Sequence, residues 1–156
     1  MNLSDYLLDQ EGKDWPALLS EWRSELPEEF TLWLVNRFGD LLIVADDGSV
    51  RLLDVGSGSL VRLADSRDDF GLKLDQGDNA SQWLLIPIVD ACVEKGLRLG
   101  SNDCYGFKVP PSLGGNYDLD NIEPTDLAVH CSVLAQIHAK TKSLAAGTKI
   151  GKVGIE

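Results

Sequence analysis

Apolar and polar positions change their rhythm twice along this chain. In the first third the rhythm is helical. Leu3, Leu7 and Leu8 fall on one face, with Ser4 or Asp5 placed to cap, and Gly12 ends the segment. Asp14 can cap a second helix that opens Trp15-Pro16 and continues through Leu18, Leu19, Trp22 and Leu26. Pro27-Glu28-Glu29 reads as the opening of a third helix, with Phe30, Trp33, Leu34 and Phe38 as its apolar face and Gly39 as its stop. From Leu41 the rhythm is that of strands. Leu41–Ala45, Val50–Val55 and Ser59–Ala64 are short apolar runs separated by Asp46-Asp47-Gly48-Ser49 and Gly56-Ser57-Gly58, so 41–64 predicts a three-stranded antiparallel meander.

Helical spacing then returns. Ser66-x-x-Asp69 is a capping-box pattern that opens a short helix to about Leu74. Gly77-Asp78-Asn79 breaks the chain. Ser81 to Lys95 predicts a longer helix that is kinked, or begins late, at Pro87, and that ends at Gly96. Tyr105–Val109 predicts a strand, and Pro110 to Tyr117 a long loop. A last helix should start at Pro124-Thr125, carry Leu127, Cys131, Leu134, Ala135 and His138 at intervals of three and four, and close at Gly147. The tail from Thr148 to Glu156 reads as an edge strand or a frayed end. Helices, then a small antiparallel sheet, then helices imply an α+β fold. With 156 residues the expectation is a single domain over 1–156, its core at about 30–147 and a helical N-terminal extension over 1–29.

Charge narrows the function classes. The net charge is −11. That argues against direct binding of nucleic acid, which needs clustered Lys and Arg, and favours a basic partner. Residues 1–30 hold eight acids against Lys13 and Arg23, and Asp118, Asp120, Glu123 and Asp126 form a second acidic cluster. The opening Met1-Asn2-Leu3-Ser4-Asp5 lacks a signal peptide's basic start, and no apolar run approaches the roughly 18 residues that suggest a membrane span. Three widely spaced cysteines, Cys92, Cys104 and Cys131, predict free and partly buried thiols. Together these features predict a cytoplasmic protein.

Candidate chemistry is sparse. His130 and His138 lie eight residues apart, not at the three- or four-residue spacing of a helical metal site. The reading is one histidine packed at the sheet and one at the surface, with no metal and no cofactor. Gly56-Ser57-Gly58-Ser59 has the wrong glycine spacing for a nucleophile elbow, and Gly147-Thr148-Lys149 lacks the upstream half of a phosphate loop. Cys104 has no base among its neighbours. The carboxylate pairs Asp46/Asp47, Asp68/Asp69 and Asp118/Asp120 are what a chain with 25 acids contains by chance. Asp118-x-Asp120-Asn121 lacks the glycine and distal glutamate of a calcium loop.

An ordered set of short motifs carries a resemblance. Asn36-Arg37-Phe38-Gly39-Asp40-Leu41 leads to Asp47-Gly48-Ser49-Val50, Leu53-Asp54 and Ala64-Asp65-Ser66. Asp69-Phe70, Trp83, Gly96, Leu99 and Cys104-Tyr105-Gly106-Phe107 follow, then Pro110-Pro111, Leu113-Gly114-Gly115-Asn116-Tyr117, Asn121-Ile122 and His130. In this order the chain, over roughly residues 30–147, resembles the C-terminal domain of the type VI secretion DNase-immunity family, which itself resembles the SUKH-type immunity proteins. The resemblance implies a non-enzymatic inhibitor that occludes a cognate toxin, a basic nuclease, as a monomer or weak dimer, with no membrane involved. Longer members carry a further domain like the GAD domain of tRNA-charging enzymes, which the short lead before the matching stretch leads us not to expect here. The contact surface is expected at Asn116, Tyr117, Asp118 and Asp120, with Tyr105 as an aromatic anchor. Two rival readings stay open: a ligand-binding or regulatory module with a pocket lined by Trp33, Trp83 and Tyr105, and a small hydrolase using paired carboxylates.

Overall fold

A computed structural model describes residues 2–142. The tail from Thr148, the stop at Gly147 and the Gly147-Thr148-Lys149 segment lie outside these residues. Four strands, β1 (Phe30–Val35), β2 (Leu41–Ala45), β3 (Val50–Asp54) and β4 (Ser59–Ala64), form one antiparallel sheet in sequence order. The 41–64 meander is present as expected. The expected third helix is instead β1. Residue pairing explains the correction: Leu32 pairs with Ile43 and Leu34 with Leu42, so Trp33 is an extra, bulged residue. The bulge puts Trp33 and Leu34 on the same face of the sheet, which imitates helical spacing.

Both sheet faces are covered. On one, Leu42 and Val50 meet Phe70, Trp83 and Leu84 from α2 (Arg67–Leu74), α3 (Asn79–Trp83) and the turn after it. On the other, Val35, Leu41, Ile43 and Leu53 meet Trp22, Leu26, Leu134 and Ala135. The last two belong to α5 (Leu127–Thr141). The N-terminal helices prove short: a 3-10 turn at Leu3–Tyr6, α1 (Trp15–Leu18) and a 3-10 turn at Ser20–Trp22. This segment has two tasks. Trp22 is fully buried against α5, and the Leu8 N–H donates to the Val35 carbonyl beside a Leu7–Asn36 bridge, so the Val35 end of the outer edge of β1 is covered.

Ser66 caps α2 as the capping-box pattern predicts, its hydroxyl accepting from the Asp69 N–H, while an Asp69 oxygen accepts from the Asp65 N–H. Pro87 does not kink a long helix. The chain breaks at Leu85, a left-handed residue with φ 53°, and α4 (Ile86–Lys95) starts there with Pro87 in its first turn. The later strand β5 (Asp103–Phe107) pairs with β6 (Ile122–Asp126), which takes the place of the expected start of the last helix. Asp126 then caps α5 by accepting from the Val129 N–H.

Candidate functional site

The loop between β5 and β6 holds most of the expected contact residues, and its shape follows from a few polar groups. Asn121 works as a staple. Its Oδ1 accepts from the Val109 N–H, its Nδ2 donates to the carbonyls of Val109 and Asn116, and its own carbonyl accepts from the Lys108 N–H. Asn116 Oδ1 accepts from the Asp118 N–H. The crossing leaves no room at Gly115, where a β-carbon would fall on the Val109 carbonyl oxygen. Gly115→Ala should therefore open the loop. The expected result is rapid limited proteolysis between Val109 and Asn121 with the melting temperature nearly kept. An Ala variant as protease-resistant as the parent would refute this close crossing.

This fold of the loop exposes Asn116, Tyr117, Asp118 and Asp120. Asn116, Asp118 and Asp120 line one depression of about 320 Å³ with Val109, Gly115 and Asn121. The Asp120 side chain is fully exposed, 4.0 Å from Lys95 Nζ. Tyr105 is placed elsewhere. It is 1% exposed, its hydroxyl donates to the Leu97 carbonyl, and its ring packs on Phe38 with centroids 5.5 Å apart. As an exposed anchor it is corrected by this burial: it supports the surface from beneath, through Phe38, Phe107 and Tyr117.

Below the loop lies a polar group of residues that adjacency in sequence did not reveal. Asn36 and Asp40 are both buried. Asn36 Oδ1 accepts from the N–H groups of Phe38 and Asp40, and its Nδ2 donates to Asp40 Oδ2 and the Trp83 carbonyl. Asp40 Oδ1 accepts from the Val55 N–H. Burial, and then the charge of Asp54, push the Asp40 carboxyl up to about 8, against the pull of Asn36 and the Val55 N–H. His130 is buried as well, and burial pushes it down to about 4. Its Nε2 lies 2.9 Å from the Phe38 carbonyl, which can only accept, so the proton sits on Nε2. Two glycines make the space for this ring. A β-carbon on Gly39 would meet its Cδ2 at 3.2 Å, and one on Gly106 its Nδ1 at 3.1 Å. Much of the Asn36–Leu41 and Tyr105–Phe107 pattern is thus a set of fold determinants. The signal was present in buried-type polar residues beside glycines, without a spacing that announces a site.

The other candidates are dispersed. Asp47 accepts from Ser49 and pairs with Arg62, and Asp69 pairs with Lys73. Asp40 feels the charge of Asp54, but it is enclosed and hydrogen-bonded on both oxygens. Cys92, Cys104 and Cys131 are free and buried, and burial holds Cys104 and Cys131 above the usual thiol range. That makes Cys104 a poor nucleophile. His138 is half-buried between Trp22 and Gly58, not at the surface, with Nε2 3.3 Å from Glu25 Oε1. Trp33 and Trp83 close on Phe70, with Arg67 over the Trp33 ring, whereas Tyr105 belongs to another cluster, so the three do not share a pocket. A larger depression, about 400 Å³, lies between the Gly12–Glu21 segment and the start of α5, away from every expected contact residue. Among the described residues no group of three or more His, Cys, Asp or Glu could hold a metal ion, and no helix is long and apolar enough to cross a membrane.

No curated protein matches the chain. A family model does: that of the type VI secretion system (T6SS) immunity protein Tdi1, C-terminal, matches residues 64–138. The matched stretch runs from the end of β4 through α2–α4, the β5–β6 pair with its stapled loop, and α5 as far as His138. It supports the type VI half of the resemblance and does not speak to the SUKH-type half. Over residues 64–138 the chain is thus similar to the C-terminal domain of type VI secretion immunity proteins.

Proposed function

We propose that the protein binds its cognate toxin and neutralises it by non-catalytic occlusion, that the toxin is a DNA-cleaving effector, and that the stapled 109–121 loop is the contact surface. The family match carries this reading. Two physical features support it. The net charge of −11 suits a partner whose DNA groove is basic, and attraction of that kind speeds encounter. The loop offers Asn116, Asp118 and Asp120 at a depression that can receive a basic side chain, with Tyr117 beside them and Tyr105 supporting the loop from within. The same reading makes the chain a single domain, since the N-terminal segment shares a core with α5, and makes it a cytoplasmic monomer or weak dimer without catalytic activity.

The test is capture of the product of the neighbouring gene, followed by a DNA-degradation assay on that product. Stoichiometric capture with loss of DNA cleavage is the expected result. Asp118→Lys with Asp120→Lys should then weaken binding about tenfold or more, mainly through slower association. Full affinity in the double variant would move the contact surface elsewhere, and DNA cleavage that persists in the captured complex would overturn occlusion.

A further inference from the structure

The 109–121 loop is joined to the β3–β4 turn at one point. A β-carbon on Gly56 would lie 3.2 Å from Asp54 Oδ1, 3.4 Å from Pro111 Cγ and 3.5 Å from the Tyr117 hydroxyl. Two groups distant in sequence, Pro111 and Tyr117, therefore meet the local Asp54 carboxylate around one glycine. Asp54 Oδ1 is fixed on its side by the N–H groups of Gly56 and Ser57. The Tyr117 ring is fixed on the other side, edge-on to Phe107 at 5.1 Å and tilted against Phe38 at 6.4 Å. Burial, then the charges of Asp54 and Asp40, hold the Tyr117 phenol above its usual range, in keeping with a ring whose hydroxyl end points into the protein. Its neighbours Asn116 and Asp118 face outward.

We propose that Tyr117 is a positioning residue: its ring wedges between Phe107 and the Gly56 turn and holds the 109–121 loop in one conformation before any partner arrives. Its role as the wedge that presents a contact surface rests on the function proposed above. A pre-formed loop loses little conformational freedom on binding, so the wedge acts on the rate and strength of association without itself making the decisive contacts.

Amide hydrogen exchange on the full chain tests the wedge with no partner present. The reporters are the hydrogen-bonded loop amides of Val109, Gly114, Gly115 and Asn121, and the controls are those of Leu42 and Ile43 in the central strand β2. Tyr117→Ala should speed the reporters about tenfold or more and leave the controls unchanged, and Tyr117→Phe, which keeps the ring, should restore near-parental exchange. Gly56→Val should reproduce the Ala result from the opposite side of the contact. If reporter exchange in Tyr117→Ala stays within about twofold of the parent, the wedge is refuted. Should Gly56→Val speed the controls too, the Ala and Phe pair decides alone. With the toxin present, Tyr117→Ala should associate about tenfold more slowly than the parent. A parent chain that captures no toxin would refute the functional reading and leave the exchange result to decide the wedge.

Discussion

Replacing Trp22 by alanine should cost about 3–5 kcal/mol, the range for deleting a fully buried large aromatic side chain. Trp22 is 0% exposed. Its indole N–H donates to the Cys131 carbonyl at 3.0 Å, across 109 positions of sequence, and its ring stacks on His138 with centroids 5.7 Å apart. It is the chief attachment of the N-terminal segment to α5. A domain of this size is stable by only about 5–15 kcal/mol, so the alanine variant should sit near the edge of unfolding. Urea denaturation is the check. Trp22→Phe keeps most of the volume but loses the hydrogen bond, and should cost about 1–2 kcal/mol. An alanine variant within about 1 kcal/mol of the parent would mean that the segment is not attached in this way.

The second large effect concerns pH. His130 and Asp40 are both buried near Phe38–Gly39, and their slopes have opposite signs. The folded-state pKa of His130 is lowered to about 4, so the unfolded chain binds more protons between about 4 and 6.5, and stability is lost as pH falls through that window. The full amplitude is on the order of 3 kcal/mol. Asp40 is raised to about 8, so the folded chain binds more protons from its ordinary range upward, and stability is lost as pH rises toward 8. Below 6.5 the two oppose each other, and above 6.5 the Asp40 slope stands alone. Chemical melts at pH 6.5 and 8 should show a fall of roughly 1–2 kcal/mol in the parent and none in Asp40→Asn, which keeps the shape without the charge. Carboxylates held low by partners, such as Asp47 and Asp69, titrate well below this window and do not contribute. A parent that is equally stable at both values would contradict the buried acid.

What the sequence revealed depended on whether a signal was local. The 41–64 meander and α2 were legible because turns and caps are written in adjacent residues: Asp47 with Ser49, Ser66 with Asp69. β1 was not legible, because the bulge at Trp33 breaks the alternation that identifies a strand. Pro124 looked like a helix start, but Ile122–Asp126 is claimed by pairing with β5, where Tyr105 lies opposite Pro124, a long-range contact with no local mark. At the candidate site, Asn116, Asp118 and Asp120 were found as polar residues in a glycine-rich loop. Tyr105 was misjudged because an aromatic residue in a strand reads the same whether it points inward or outward. The nearness of Asp40 and Asp54 was invisible, since only the β2–β3 register, with Leu41 opposite Leu53, brings those carboxyls together.

The four-stranded sheet has unequal borders. The N-terminal segment covers the Val35 end of β1 through Leu7 and Leu8, whereas β4 is the other end strand and no further strand pairs with it among the described residues. On β4, Val61 is half exposed, and next to it Arg62 is tied to Asp47 and Asp65. A charged residue in the middle of a bare border discourages a second copy from adding its own strand there. Clipping or fraying of the first ten residues would uncover the Trp33–Asn36 end of the β1 border, where Gln10 and Leu8 hydrogen-bond the Trp33 and Val35 carbonyls, and this end has no such guard against templated growth. The shelf life of concentrated stocks, and the tendency of truncated chains to form fibrils, should therefore be governed by the N-terminal segment more than by the surface charge of the rest.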